Sequence, residues 1–192
     1  MGHLEGLKEH LNAVRDHSVF DQVLTSKQPW EMHLHGQRVV RARVVENRTY
    51  EMIVDIEGQG QEELPKLQVK YLYPADSTAA VEKMIKLDKK VQGLGLEPIL
   101  APAERYIVKN KTLFPLMKER EVVFCTLMEG EVIRGLVADF SRYDLTMHAK
   151  GGLLIVILRH SIYDLRNKQG RCMLRSFQDK HKDWQKNALF VD

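Results

Sequence analysis

The chain carries one order of residue patterns twice. Arg48-Thr49-Tyr50-Glu51-Met52 sits between two strand-like runs, and Arg142-Tyr143-Asp144-Leu145 sits between two more, about ninety residues later. Around each copy come a short helical lead-in, an alternating apolar strand, a Gly-containing turn and a long strand. The basic–aromatic–acidic corner follows, then a third strand, a hairpin and a closing strand with a basic residue beside a ring. Those closing pairs are read as Lys70-Tyr71 and Arg159-His160. A repeat constrains a fold more tightly than composition does, because each copy must be one supersecondary unit. It predicts two copies of a small β unit with basic and aromatic residues at matching places.

Composition sets the outer limits. With 192 residues, 44% hydrophobic and 29% charged, the chain has room for two small domains and connecting helices, and it is neither disordered nor fibrous in balance. A net charge of +3 permits a nucleic-acid partner without requiring one. Cys125 and Cys172 form no CxxC pair and no disulfide framework. The longest apolar run, Leu153 to Leu158, is too short to cross a bilayer, and the N-terminus lacks an apolar signal core. A cytoplasmic location without membrane contact is therefore expected.

Leu4, Leu7, Leu11 and Val14 make one apolar stripe and predict a helix within segment 1–17. A second helix is expected from Ser18, its cap, to Lys27. Trp30, Met32 and Leu34 alternate with Glu31, His33 and His35, which predicts a half-buried strand with the polar trio facing solvent. Arg38–Asn47 and Tyr50–Ile56 follow as strands, Glu57–Pro65 as a polar loop, and Leu67, Val69, Tyr71 and Tyr73 alternate before Pro74 stops the run. The first unit thus spans 18–73. A linker, 74–111, is expected to carry one helix from Asp76 or Ser77 to Gln92, with Lys83, Lys86, Lys89 and Lys90 on its solvated face. The Gly- and Pro-punctuated stretch 93–102 is the expected domain boundary, the second unit spans 112–167, and a tail spans 168–192. In the second lead-in helix, Thr112 to Glu119, Pro115 is expected near the first turn. No Gly-rich phosphate loop, Ser/His/Asp order or Cys/His pair stands out, so neither an enzyme nor a cofactor is indicated. His33 and His35 have HxH spacing but no companion acidic or Cys cluster, so no metal is expected.

The second unit resembles a known family. Lys118-Glu119-Arg120, Val123-Phe124-Cys125-Thr126-Leu127-Met128-Glu129-Gly130, the mid-strand Gly135 and Leu158-Arg159-His160-Ser161-Ile162 together resemble the Sm-like fold, in particular the bacterial Hfq RNA chaperone. The first copy is more degenerate: Pro29, Gly36-Gln37, Tyr50 and Val69-Lys70-Tyr71 keep the order, and Ala42 replaces the glycine. The resemblance implies a mainly β fold with flanking helices: two Sm-like modules, each a short N-terminal helix plus a strongly bent five-stranded antiparallel sheet, an SH3-like open barrel. It also implies closed rings built by edge-strand pairing. Hfq rings hold six modules, so two per chain imply a homotrimer forming a pseudo-hexameric ring.

The implied activity is binding of short single-stranded uridine-rich RNA in post-transcriptional regulation. Carried onto this sequence, the RNA-binding positions are Arg142, Tyr143, Arg159 and His160, with Thr49, Tyr50, Lys70 and Tyr71 in the first copy. Lys118, Arg120 and Lys27 would form a basic rim. Residues of these types suit RNA, since aromatic faces stack on bases, cations pair with phosphate, and His can bond a base edge or a 2′-hydroxyl. Arg142 and Thr49 stand where the family has Gln, which leaves base preference open. The other reading is a ring-forming scaffold for proteins that has lost RNA affinity, with protein partners reached through the linker or tail.

Overall fold

A computed structural model describes residues 4–15 and 17–174. The part of the expected tail beyond 174 lies outside the described residues. The strands are β1 (Trp30–Leu34), β2 (Val39–Asn47), β3 (Glu51–Ile56), β4 (Gly60–Pro65), β5 (Val69–Pro74), β6 (Lys86–Leu87), β7 (Val122–Leu127), β8 (Glu131–Phe140), β9 (Asp144–His148), β10 (Leu154–Leu158) and β11 (Ile162–Asn167). The helices are α1 (Leu7–Ala13), α2 (Val19–Ser26), α3 (Thr78–Glu82), α4 (Lys89–Gln92) and α5 (Asn110–Glu119).

The expectation of two separate, strongly bent five-stranded sheets is corrected. All eleven strands belong to one open antiparallel sheet, in the order β11-β7-β8-β9-β10-β5-β1-β2-β3-β4, with β6 added beside β8. The repeat survives inside this sheet as strand order: β5-β1-β2-β3-β4 in one half and β11-β7-β8-β9-β10 in the other. The halves are fused where β10 pairs with β5, through Val156↔Leu72 and Ile157↔Tyr71.

The fusion follows from where side chains go. Val156 and Leu158 of β10 are buried in the first half's core, among Trp30, Met32 and Val54. Tyr71 and Tyr73 of β5 are buried in the second half's core, among Phe114, Phe140 and Ile157. Each half buries apolar surface of the other, at about 25 cal/mol per Å² removed from water. Splitting the sheet would expose both sets.

Local signals account for most elements. Ser18 caps α2 by accepting from the Phe20 N–H at 3.2 Å. Register shifts at Val44/Glu46 in β2 and Val137/Asp139 in β8 mark bulges at matching places before each corner. Four local expectations fail. The single linker helix is instead α3, β6 and α4, because Asp88 caps α4 through Lys90 N and Val91 N while Lys86 and Leu87 pair with Val132 and Glu131. The lysine series is accordingly divided among these elements. Residues 60–65, expected as loop, are an edge strand paired along its length to β3. Pro115 lies inside α5, not in its first turn. Glu31 and His35 are buried and His33 is half-buried, because the second half covers the face expected to meet solvent. Among the described residues no helix is long and apolar enough to cross a membrane.

Candidate nucleic-acid interface

The two corners are built alike. Arg48 N donates to Glu51 O at 3.0 Å, and Ser141 N donates to Asp144 O at 3.0 Å. Lys66 N donates to Tyr50 O at 2.9 Å, and Arg159 N donates to Tyr143 O at 2.9 Å. Tyr50 and Tyr143 lie 93 residues apart, as do Lys66 and Arg159. The side chains repeat the theme. Lys66 Nζ bonds the carbonyls of Arg48 and Thr49, and Arg159 Nη1 donates to Ser141 O at 2.8 Å. In each half a cation from the closing turn holds the corner backbone from beneath.

This spacing corrects the pairing of the two copies. The counterpart of Arg159-His160 is Lys66-Leu67, not Lys70-Tyr71. Lys66 escapes the sequence reading, although the Tyr50-to-Tyr143 interval applied to Arg159 points to it. The interval also matches Lys27 to Arg120 at the rim. Both are exposed and adopt the left-handed conformation at the ends of α2 and α5. Lys118, close to Arg120 in sequence, is also exposed, its Nζ 5.4 Å from the Phe114 ring.

The eight expected RNA-binding residues divide into two sets. Thr49, Tyr50, Arg142 and Tyr143 are exposed, Tyr50 at 75% and Tyr143 at 57%. The Arg142 guanidinium lies 5.6 Å from the Tyr143 ring. Arg48 in the first corner is held by Glu46 at 2.9 Å and Glu63 at 2.6 Å. The first corner therefore presents a ring beside a neutralised cation, and the second presents a ring beside an exposed guanidinium. Ser141 Oγ fixes the second corner further by accepting from Tyr143 N at 3.0 Å and Asp144 N at 3.2 Å.

The other four are turned inward. Arg159 bonds Val108 O and Asn110 Oδ1 as well as Ser141 O. His160 Nε2–H donates to Val69 O at 2.9 Å across the β5–β10 joint, and Ser161 Oγ donates to Lys70 O at 2.9 Å beside it. Burial, reinforced by the Arg105 charge, pulls the His160 imidazole down to about 4, so it is neutral at pH 7. Lys70 is 1% exposed and forms ion pairs with Glu129 and Glu131 of the second half. Glu129 also accepts from Gly36 N at 2.6 Å and Gln37 N at 3.2 Å. Those two residues have positive φ, so their N–H groups converge on the carboxylate. Burial pushes Glu129 up, but Lys70 and the Gly36 N–H outweigh it and leave its pKa below the usual value.

Tyr71 stacks on His33 with centroids 4.2 Å apart. A directed chain runs from it: Tyr71 OH donates to His33 Nδ1 at 2.8 Å, His33 Nε2–H donates to Tyr73 OH at 2.9 Å, and Tyr73 OH donates to Glu31 at 2.6 Å. Thr78 Oγ1 donates to the other Glu31 oxygen at 2.8 Å. Burial lowers the His33 imidazole to about 4 against the pull of Glu31, which suits its role as both donor and acceptor. His33 of the HxH pair is thus spent on a hydrogen-bond network, while His35 is buried with its Nδ1 3.7 Å from the Glu129 carboxylate. Among the described residues, no group of three or more His, Cys, Asp or Glu is placed to hold a metal ion. No model of a known protein family matches the chain, and no curated protein matches it.

Proposed function

We propose that the chain binds short single-stranded RNA, with the second corner as the principal contact, and acts in post-transcriptional regulation in the cytoplasm. The observation that carries this reading is the exposed Tyr143 ring with Arg142 beside it, on a backbone pinned by Arg159 and Ser141. A ring held on a rigid corner loses little conformational freedom when a base stacks on it, and the neighbouring cation can take the phosphate. The preference for uridine rests on the resemblance of the second copy to Hfq proteins. Tyr50 supplies a second, weaker platform, because Glu46 and Glu63 already hold Arg48.

One observation favours a different reading. Lys70, Tyr71, Arg159 and His160 are occupied inside the protein, which leaves fewer groups for RNA than the family pattern offers. A scaffold that binds proteins would use the same exposed rings. Titration of a labelled uridine hexamer into the full chain at two salt concentrations separates the two. RNA binding predicts affinity that falls as salt rises. Tyr143→Ala should weaken it by about 1–3 kcal/mol, roughly 5- to 150-fold, and Tyr50→Ala by less. No binding at low salt would give the case to the scaffold.

A further inference from the structure

The two halves end differently, and one residue position explains why. Pro74 closes β5 and Asn167 closes β11, and the two lie 93 residues apart. Proline has no N–H and cannot donate to a returning strand. The chain leaves the sheet at Pro74 into the turn Ala75–Ser77 and α3, and the free edge of β5 is taken by β10. At Asn167 the chain turns back. Asn167 N donates to Arg171 O at 3.2 Å, and its Oδ1 accepts from Gln169 N at 3.1 Å and Arg171 N at 2.9 Å. Gly170, with φ of 76°, allows the turn.

The returning segment then lies on the edge of β11. Met173 N donates to Leu165 O at 2.8 Å, and Arg166 and Cys172 face each other as an antiparallel bridge. Arg166 Nη1 donates to Gly170 O at 2.8 Å, and Cys172 Sγ donates to Asp164 Oδ1 at 3.1 Å. Met173 and Leu174 pack against the second half's core. Leu165 is the counterpart of Leu72, which pairs with Val156 at the joint.

We infer that residues 168–174 form an intramolecular edge cap, occupying on β11 the place that β10 occupies on β5 and excluding a second copy of the chain from that edge. A three-chain ring closed by repeating the β5–β10 contact requires this cap to leave. The incoming strand would be β4 of a second copy. It offers Gln61, Glu63 and Pro65 where β10 offers Leu154, Val156 and Leu158. The cap is tethered by a short turn segment, so it competes at high effective concentration against a poorer strand.

The test uses the full chain. Light scattering over a hundred-fold concentration range should give the mass of one 22.3 kDa chain, with the Met173 amide protected in hydrogen exchange. Met173→Pro removes the donor to Leu165 O. Asn167→Ala is the milder variant and loosens the turn while leaving that donor in place. In both, the backbone amide at position 167, which donates to Arg171 O, should exchange faster, and the mass should rise with concentration. Circular dichroism melts identify any variant that has simply unfolded. A wild-type chain at multiple mass with Met173 still protected overturns the inference. So does a folded variant with a freely exchanging cap that stays at one chain.

Discussion

β5 and β11 hold the same place in the two halves, yet different things cover them. β5 is completed by another half: β10 pairs with it, Tyr71 and Tyr73 enter the second core, and Lys70 meets Glu129 and Glu131. β11 is completed by its own chain. Tyr163, the counterpart of Lys70, packs with Met128 and, from the linker, Val91, Leu96, Ile99 and Tyr106. Asp164 and Arg166, the counterparts of Tyr71 and Tyr73, form a buried ion pair at 2.7 Å beneath the 168–174 segment. Duplication thus repeated the strand order, while divergence at a few positions decided which edge joins and which edge stops. The outer edge strand β4, with Glu62, Glu63 and Pro65, carries the features that keep an edge from recruiting strands.

Substitution at the joint should break this comparison most sharply. Lys70→Ala leaves the Glu129 and Glu131 carboxylates without their cation and should cost about 3–5 kcal/mol by denaturant unfolding. Lys70→Met combined with Glu129→Gln and Glu131→Gln should recover much of that loss, because the buried charge then disappears from both sides. A single substitution as mild as a surface change would mean that the ion pairs do not hold the halves together.

Acid should act on the same region. Burial holds His33 and His160 at about 4, below the ordinary histidine value of 6.5, and lowers His35 as well. The unfolded chain therefore binds protons more readily than the folded one across this window. Stability is fully present above pH 6.5 and is lost as pH falls through the folded values near 4. Glu129, also lowered, adds a loss of the same sign below 4.5. Thermal melts from about pH 7.5 down to about pH 4 check this, and a melting point that rises on acidification would contradict it.

The smallest effect should separate the matched positions Gly135 and Ala42. A Cβ on Gly135 would stand 2.6 Å from His148 O, so β8 and β9 would have to move apart. Gly135→Ala should cost about 1–3 kcal/mol, as overpacking does. The first half already accommodates a buried Ala at the matching place, and Ala42→Gly should cost only about 1 kcal/mol, from backbone freedom and lost burial.

Much of the fold was legible locally. The Ser18 cap, the alternation of Trp30, Met32 and Leu34 and the corner motifs each lie within one or two turns of chain, where propensity and period operate. Tyr50 and Tyr143 are exposed at those corners as a ligand would need. What was not legible depended on partners far along the chain. Glu31 and His33 read as solvent-facing because nothing nearby says that Tyr73, Thr78 and the second half will cover them. Lys70 read as a phosphate ligand because its carboxylate partners lie 59 and 61 residues away. Residues 60–65 read as loop because an edge strand needs few buried side chains, and only Leu64 is buried there.

The sequence by itself determined that one order of patterns is repeated, where both corners and most of the strands fall, and which residue types stand at each corner, since these are read from short-range order; β4 and β6 were not among them. Only the tertiary structure decided that the two copies share one sheet. It also decided that half of the expected RNA ligands serve the interior and that one edge is covered by its own chain. Those outcomes turn on which apolar faces find each other and which buried charges find partners. Such choices are made between residues distant in sequence and close in space, where burial and pairing outweigh local preference.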